Sequence, residues 1–317
     1  MTPQPATGAD YLRLATTLLQ RMRLADPEGG IWEAADVQWW SRLDQRTGLF
    51  WLDGDGAPAA ACLATGFRGG VQCDVLVLLG DEGFAGEVWR RAIEQADGAE
   101  ITVRLDDRIG ITALEAAGYR LADPAAVVPC WLEAAGRPPV PGLADGYRLL
   151  SRAEDQDRPH PMIGRSGPDV EQRLRACSLY RPELDLVLVA PDGQTAGYGL
   201  FWADPVTGVG LIEPIRTQAG HEGHGLASHL VGTGLDLLAA NGCSRLKVCS
   251  DRGLYLRAGF RRLDSATAGS YTRPGLWRCG WRANGSRASQ AGAGRSKCSF
   301  SASRSHSAIG PHADIAA

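Results

Sequence analysis

The stretch at residues 221–231, HEGHGLASHLV, links two apolar segments of different periodicity. Before it stands GVGLIEPIRT (208–217), a run with the length and composition of a buried strand. After it, apolar residues recur close to the 3.6-residue period of a helix, at Leu226, Leu230, Val231, Leu235 and Leu238. Glycines at 220, 223 and 225 lie between the two. The stretch therefore predicts a strand, a glycine-rich loop and an amphipathic helix.

Three histidines and a glutamate within this stretch also suggest a zinc site. The zinc-protease pattern needs histidines at positions i and i+4 of one helix, but the position four residues after His221 is Gly225. The first turn of a helix, in contrast, has unpaired N–H groups and the positive end of the helix dipole, and glycines let an anion approach them. The pattern favours a phosphate-binding loop and no metal, with a simple tight turn as the alternative.

Composition narrows the class of protein. The chain has 317 residues, of which 44% are hydrophobic and 22% charged, as in globular proteins with two domains. A net charge of −3 argues against binding to nucleic acid or to a membrane surface. We find neither a basic segment followed by an apolar one at the N-terminus nor 18 consecutive apolar residues, and so expect a cytoplasmic protein without a signal peptide or membrane span.

The chain also contains a weak internal repeat. ITVRLDDRIGITALEAAGYRL (101–121) and LKVCSDRGLYLRAGFRRL (246–263) both read as a strand, Asp-Arg and a helix that ends at Ala-Gly-aromatic. The second copy is four residues shorter, which we assign to the loop between strand and helix. We expect a domain at 1–134, a Pro- and Gly-rich linker at 135–146, a second domain at 147–282 and a disordered, Ser-, Ala- and Gly-rich tail at 283–317.

In the second domain we expect three strands before the glycine loop and one after it. The expected elements are a helix at 169–177, strands at 184–190, 195–202, 208–217 and 245–249, a helix from the loop to 240, and a short helix at 253–258.

The second half of the chain resembles the GNAT superfamily of acyl-CoA-dependent N-acyltransferases, most firmly over 208–263. The family signature, Q/R-x-x-G-x-G/A after a strand, is matched by residues 222–227 (EGHGLA), and its later Leu-Tyr-x-x-x-Gly-Phe by residues 254–260. The resemblance implies an α/β (α+β) fold of two tandem GNAT-like domains. Each would be a mixed, mostly antiparallel twisted sheet flanked by helices, and the N-terminal copy would be degenerate.

The resemblance further implies an N-acetyltransferase that moves an acetyl group from acetyl-CoA to a primary amine by direct attack in a ternary complex. It assigns the general acid to Tyr255, whose alternative role is a packed aromatic. The general base would be Glu213, whose alternative role is pairing with an arginine such as Arg216. The expected acetyl-CoA-binding residues are Ile215, Arg216 and Thr217 on the strand, and Glu222, Gly223, His224, Gly225, Leu226 and Ala227 in the loop and helix.

Two departures from the family pattern leave a second function open. A carboxylate at Glu222 would repel a pyrophosphate, and the short segment before Tyr255 would displace that residue. The alternative is therefore a catalytically weakened acyl-CoA-binding or regulatory protein. The acceptor is expected to be a small-molecule or peptide amine, with His160, Arg165, Tyr180 and Arg181 as candidate contacts, and the sequence does not predict an oligomeric state.

Overall fold

A computed structural model describes residues 2–40, 46–67, 70–78, 80–96, 99–263 and 267–274. The predicted disordered tail at 283–317 lies outside these residues. The helices are α1 (Gly8–Ala25), α2 (Ala34–Trp40), α3 (Glu82–Ala96), α4 (Arg108–Ala116), α5 (Ile163–Ser166), α6 (Val170–Arg175), α7 (Leu226–Ala240) and α8 (Gly253–Arg257).

Fourteen strands are assigned within the described part of the chain. They are β1 (Pro3–Thr7), β2 (Thr47–Leu52), β3 (Pro58–Phe67), β4 (Gly70–Val77), β5 (Glu100–Arg104), β6 (Arg120–Val127), β7 (Cys130–Glu133), β8 (Arg148–Ser151), β9 (Asp185–Val189), β10 (Thr195–Asp204), β11 (Val209–Thr217), β12 (Arg245–Val248), β13 (Arg261–Arg262) and β14 (Ala268–Thr272).

These strands form two seven-stranded sheets with the same topology. The first has the order β1-β2-β3-β4-β5-β14-β6, and the second, read from its other edge, β8-β9-β10-β11-β12-β7-β13. Each sheet is antiparallel except for one parallel pair, β4 with β5 and β11 with β12. Both sheets are flanked by helices, so the α/β fold of two tandem, mostly antiparallel domains is confirmed.

The two halves exchange one strand each. β7 follows the first sheet in sequence but lies between β12 and β13 of the second, pairing Trp131 with both Lys247 and Arg261. β14, at the end of the described chain, lies between β5 and β6 of the first sheet. The predicted division at residue 134 therefore does not follow the sheets, because hydrogen bonds between distant strands, and not chain order, complete each one.

In the second half, the predicted elements are confirmed with small differences at their ends. The helix expected at 169–177 is α6. The strands expected at 184–190 and 195–202 are β9 and β10, and the helix after the loop is α7. Leu230, Leu235 and Leu238 are fully buried on the α7 face that packs on this sheet. The apolar period thus identified the face of α7 that enters the core.

The prediction that the four-residue difference between the copies lies in the loop was wrong. The segment between strand and helix is residues 105–107 in the first copy and 249–252 in the second, so the second is not shorter there. Instead α4 has 9 residues and α8 has 5, a difference of about one helical turn. The number of missing residues could be read from the sequence, but not that they are missing from the helix.

The predicted linker is packed against α7. Arg137 forms an ion pair with Asp236, and the carbonyl of Pro141 faces His229 Nδ1 at 2.6 Å. Gly232 lies beneath Val140 and Pro141, where a Cβ would be only 2.9 Å from the Pro141 side chain. The linker therefore forms a fixed connection along this helix, at least between Arg137 and Pro141.

None of the helices in the described residues is long and apolar enough to cross a membrane.

The strand exchange predicts a long-range effect on stability. Tyr271 in β14 is 3% exposed and packs in the core of the first sheet with Trp51, Trp89 and Tyr119. We expect Tyr271→Ala to lower the free energy of unfolding by about 3–5 kcal/mol, because a buried aromatic side chain is removed. Chemical denaturation measures this loss, and hydrogen exchange should show faster exchange in α3 and β5.

Leu256→Ala, at a half-exposed position on α8, is the matched control and should cost much less. Faster exchange confined to the second sheet in Tyr271→Ala would contradict the exchange of β14.

Candidate functional site

The site begins where β11 and β12 separate. The two strands pair in parallel at Val209–Leu211 with residues 245–247, and no further pairing between them occurs in the described chain. β11 continues to Thr217 while paired only with β10 on its other side. From Ile212 onward, β11 is therefore no longer paired with β12. The separation of the two strands opens a cleft between them.

The glycine loop (residues 218–225) joins the end of this cleft to α7. Gly220, Gly223 and Gly225 have φ values of +87°, +81° and +73°, a left-handed conformation that favours glycine. A Cβ on any of the three would meet nothing within 4 Å, so the space around the loop is open. Gly225 is the N-cap of α7 and provides no side chain to cap it. The first N–H groups of α7 are therefore left for an external acceptor, as the phosphate interpretation requires.

The side chains of the glycine loop have separate partners. Glu222 Oε2 accepts a hydrogen bond from the backbone N–H of Gly220 at 2.7 Å. Hydrogen bonds from the N–H groups of Glu222 itself and of Gly220 lower the pKa of the Glu222 carboxyl, so it is ionised at neutral pH. The loop thus holds one anion of its own beside the open helix end.

The histidines of the loop are not arranged as a metal site. His221 Nδ1 lies 3.1 Å from the hydroxyl of Tyr147, and His224 Nδ1 lies 3.0 Å from the carbonyl oxygen of Glu222. His229 faces the linker. No group of three or more His, Cys, Asp or Glu side chains that could hold a metal ion occurs within the residues described.

The remaining predicted cofactor contacts lie along the same path. Ile215 and Leu226 are buried in the core of the second sheet, so only their backbones face the cleft or the helix end. Arg216 is half-buried and pairs across the sheet with Tyr198. Thr217 is buried at the end of β11, and Ala227 packs against the core. The structure thus brings the predicted strand and loop residues into one continuous path.

Glu213, the predicted base, lies where the two strands separate. Its carboxylate oxygen Oε1 accepts a hydrogen bond from Trp40 Nε1 at 3.0 Å, and its carbonyl accepts one from Trp202 Nε1 at 2.8 Å. Burial raises the pKa of Glu213 well above its ordinary value, and the negative charge of Asp36 raises it further. The hydrogen-bond partner of the carboxylate is therefore a tryptophan from the N-terminal half, which sequence reasoning did not foresee.

Tyr255, the predicted acid, is fully buried on α8 and packs edge-on against Phe260. Burial raises its pKa above the ordinary value, and the charge of Glu213 raises it further. The two side chains therefore lie close enough for the charge of Glu213 to act on Tyr255, although 42 positions separate them. The segment before Tyr255 has four residues against three in the first copy, so the residues that the second copy lacks belong to the helix.

Two of the candidate acceptor contacts have internal partners. His160 Nε2 and the hydroxyl of Tyr180 each lie 2.9 Å from Asp185 Oδ2, and His160 Nδ1 accepts a hydrogen bond from the N–H of Met162. Both ring nitrogens of His160 are therefore used within the fold. These contacts link the segment that precedes β9 to Asp185, the first residue of that strand.

A buried charge cluster beside Glu213 was missed from the sequence. Lys247 on β12 is fully buried, and its Nζ donates to Glu33 Oε1 and to the carbonyl of Ile31, both at 2.7 Å. Glu33 also forms a buried ion pair with Arg23. Burial acts to raise the pKa of Glu33, but the charges of Lys247 and Arg23 outweigh it and hold the pKa below its ordinary value.

A signal for this cluster exists in the sequence. Glu33 and Asp36 interrupt the aromatic and apolar segment IWEAADVQWW (31–40), and Lys247 is one of only two lysines in the chain. Acidic and basic residues within apolar segments indicate buried pairs. Sequence reasoning could have found the candidates, but not that α2 brings them to Glu213.

In the N-terminal copy, a side chain caps the helix that corresponds to α7. β4 ends at Val77 and α3 begins at Glu82, and Asp81 Oδ1 accepts a hydrogen bond from the N–H of Phe84 at 2.8 Å. A cleft of about 500 Å³ between β4 and β5 persists, lined in part by Asp106 and Asp107. An acidic side chain of the chain itself thus caps the helix end at which an anion would bind.

Comparisons with known proteins agree with this geometry. Residues 147–260 match the model of the acetyltransferase (GNAT) family. A search of curated proteins found no match.

Solved structures resemble the chain over most of its length. A tandem GNAT protein from the clavulanic acid biosynthesis pathway has a TM-score of 0.60 at 18% identity, over 86% of this chain and 98% of that one. A GCN5-related N-acetyltransferase from Sphaerobacter thermophilus has a TM-score of 0.54 at 18% identity, over 86% and 97%. Residues 147–260 thus match the GNAT family model, and the chain as a whole has the fold of a tandem GNAT protein.

Proposed function

We propose that this protein is an N-acetyltransferase that transfers an acetyl group from acetyl-CoA to a primary amine, by direct attack, at one active site in its C-terminal half. The observation that supports this most is the continuity of the site. The cleft between β11 and β12 runs from Glu213, beside Tyr255, to the open end of α7. A small-molecule or peptide amine as the acceptor and a cytoplasmic location are part of the proposal.

The glycine loop fits the phosphates of acetyl-CoA. The backbone N–H groups of Gly223, His224, Gly225, Leu226 and Ala227 are proposed to bind the pyrophosphate, assisted by the dipole of α7. The open space around the glycines leaves room for it. Along β11, the backbone of Ile215–Thr217 is proposed to bind the pantetheine arm and to donate to the thioester carbonyl as negative charge develops there.

Glu213 and Tyr255 are proposed to move the protons. The thioester supplies the acyl group and a thiolate leaving group. Glu213 takes a proton from the acceptor ammonium, and its raised pKa makes it a stronger base for this step. Protonation removes the Glu213 charge that raises the pKa of Tyr255. Tyr255 therefore becomes a better acid when the C–S bond breaks and the thiolate needs a proton. The tyrosinate then regains a proton from the nitrogen that has bonded to the acetyl carbon, which leaves the neutral amide and the thiol.

The first experiment is a calorimetric titration of acetyl-CoA into the protein. We expect one binding site per chain, because Asp81 closes the equivalent position in the N-terminal copy. Gly225→Val should abolish binding, since it places a β-branched side chain at φ +73° in the proposed phosphate site.

Gly193→Val is the matched control. Gly193 has a φ of +83° and open surroundings, but it lies in the turn between β9 and β10. It should leave binding unchanged. Absence of binding to the unchanged protein would refute the proposed function, and binding without transfer to any amine tested would support the weakened alternative.

Glu222 is expected to reduce the affinity for acetyl-CoA. Glu222→Gln keeps an oxygen that can accept from Gly220 and removes the negative charge, so we expect affinity to rise about fivefold at low salt, and less at high salt. Calorimetry measures both values. Glu183→Gln, at an exposed position on the same half, controls for net charge. Unchanged affinity in Glu222→Gln would show that the carboxylate does not face the phosphates.

Tyr255→Phe tests the acid. We expect kcat to fall by about 10²-fold while the Kd for acetyl-CoA stays within about twofold, because only the proton donor is lost. Tyr119→Phe removes a hydroxyl from another buried tyrosine in the N-terminal half and should leave kcat unchanged. A parallel loss of affinity and turnover in Tyr255→Phe would assign the residue a packing role.

A further inference from the structure

Helix α2 of the N-terminal half brings a second carboxyl group to Glu213. Trp40, at the end of α2, donates from Nε1 to Glu213 Oε1 at 3.0 Å. Asp36 lies four residues before Trp40, which places it one turn earlier on the same face of the helix. Asp36 is 1% exposed, and its charge acts on Glu213. The buried Asp36 and the half-buried Glu213 therefore lie near each other, where α2 of the N-terminal half contacts β11.

The charges around this pair balance only one of its two carboxylates. The neighbouring cations are Arg23 and Lys247, and both bind Glu33 directly. After Glu33 is counted, one positive charge remains to balance Asp36 and Glu213. Two ionised carboxylates would leave an uncompensated negative charge in a buried site, which is costly. Charge balance therefore favours one proton on the pair.

The hydrogen bonds of Asp36 leave one oxygen available for this proton. Asp36 Oδ2 accepts from the backbone N–H of Glu33 at 2.7 Å. Asp36 Oδ1 is buried and has no hydrogen-bond partner among the described residues. Such an oxygen is costly to bury unless it carries or receives a proton. Burial accordingly raises the pKa of Asp36 to about 7.

We propose that Asp36 is a positioning residue for the catalytic base, and that Asp36 and Glu213 together hold one proton at neutral pH. This inference rests on the proposed acetyl transfer. The acceptor amine arrives as an ammonium, and the singly charged pair takes one proton from its nitrogen, which leaves a neutral amine and two protonated carboxyls. The pair is reset when one proton returns to solvent. The N-terminal half thus contributes an acid–base partner to the active site of the other half.

Five other charged or titratable groups face the pair. They are Arg23, Glu33, Lys247, Cys249 and Tyr255. Glu33 stays ionised because its pKa is low, whereas burial raises the pKa of Cys249 and of Tyr255, so that both stay neutral. The pair is then expected to titrate between about pH 5 and pH 8, while Glu33 stays ionised and Cys249 and Tyr255 stay neutral.

The test is the titration of the carboxyl carbons in the full-length protein, labelled with carbon-13 at Asp and Glu and followed by NMR. The Glu213 signal is assigned by its loss in Glu213→Gln. We expect Asp36→Asn to lower the pKa of Glu213 by about one unit or more, because a like charge is removed. The acid limb of the kcat/KM profile should move to lower pH by the same amount. Asp145→Asn, at an exposed position with no role in the site, should change neither quantity.

The reciprocal variant, Glu213→Gln, provides a second, independent measurement of the coupling. Because coupling is mutual, Glu213→Gln should lower the pKa of Asp36. This variant serves even if Asp36→Asn does not fold. An unchanged pKa of the remaining carboxyl in either folded variant would overturn the proposal.

The NMR titration needs no substrate, so the two proposals can fail separately. Coupled carboxyls in a protein that transfers no acetyl group would refute the enzymatic function and leave the shared proton in place. Acetyl transfer with uncoupled carboxyls would refute the role of Asp36 alone.

Discussion

The exchange of β7 and β14 is the constraint on which the rest of the structure depends. Each sheet receives its sixth strand in spatial order from the other half of the chain. Without its sixth strand, each sheet would have unpaired backbone N–H and C=O groups on the two strands that flank the gap. Such groups are costly when buried and form reactive edges when exposed. Neither half can therefore complete its sheet alone, and the two halves are held in a fixed relation by hydrogen bonds and not only by surface contact.

Because the two halves are held in place, a buried charge cluster between them can be stable. Lys247 lies on β12 beside the exchanged strand β7, with Trp131 of β7 stacked against it and against Arg23 and Arg245. A buried lysine is costly unless its partner is placed accurately, and Glu33 is the partner. The exchange brings these elements together, and the cluster in turn fixes α2 against β11, where Trp40 reaches Glu213.

The two copies of the fold have diverged at the same place. In the N-terminal copy, Asp81 and Asp107 cap α3 and α4 with their own side chains, so these helix ends bind internal anions. In the C-terminal copy, Gly225 leaves α7 uncapped, and the glycine loop is eight residues long. The C-terminal copy thus has a helix end without a side-chain cap, while the N-terminal half supplies Trp40 to Glu213 and Glu33 to Lys247.

The sequence by itself determined the elements and the character of the site. The 3.6-residue period identified α7, the glycines marked the loop at positions that need positive φ, and the repeat indicated two similar domains. These features are local, because they depend on residues within one or two turns of each other. The family pattern added Glu213 and Tyr255, and the structure brings both to the cleft, where their roles stay predictions.

Only the tertiary structure decided which strands complete each sheet and which side chains meet Glu213. β7 and β14 have no local feature that assigns them to the other half, since a strand pairs through backbone groups that are alike in every residue. Asp36, Trp40 and Lys247 were visible as polar or aromatic residues in apolar segments, but their convergence depends on contacts across some two hundred positions. Burial and the charge of these neighbours set the pKa of Glu213, and neither quantity is a property of the sequence near it.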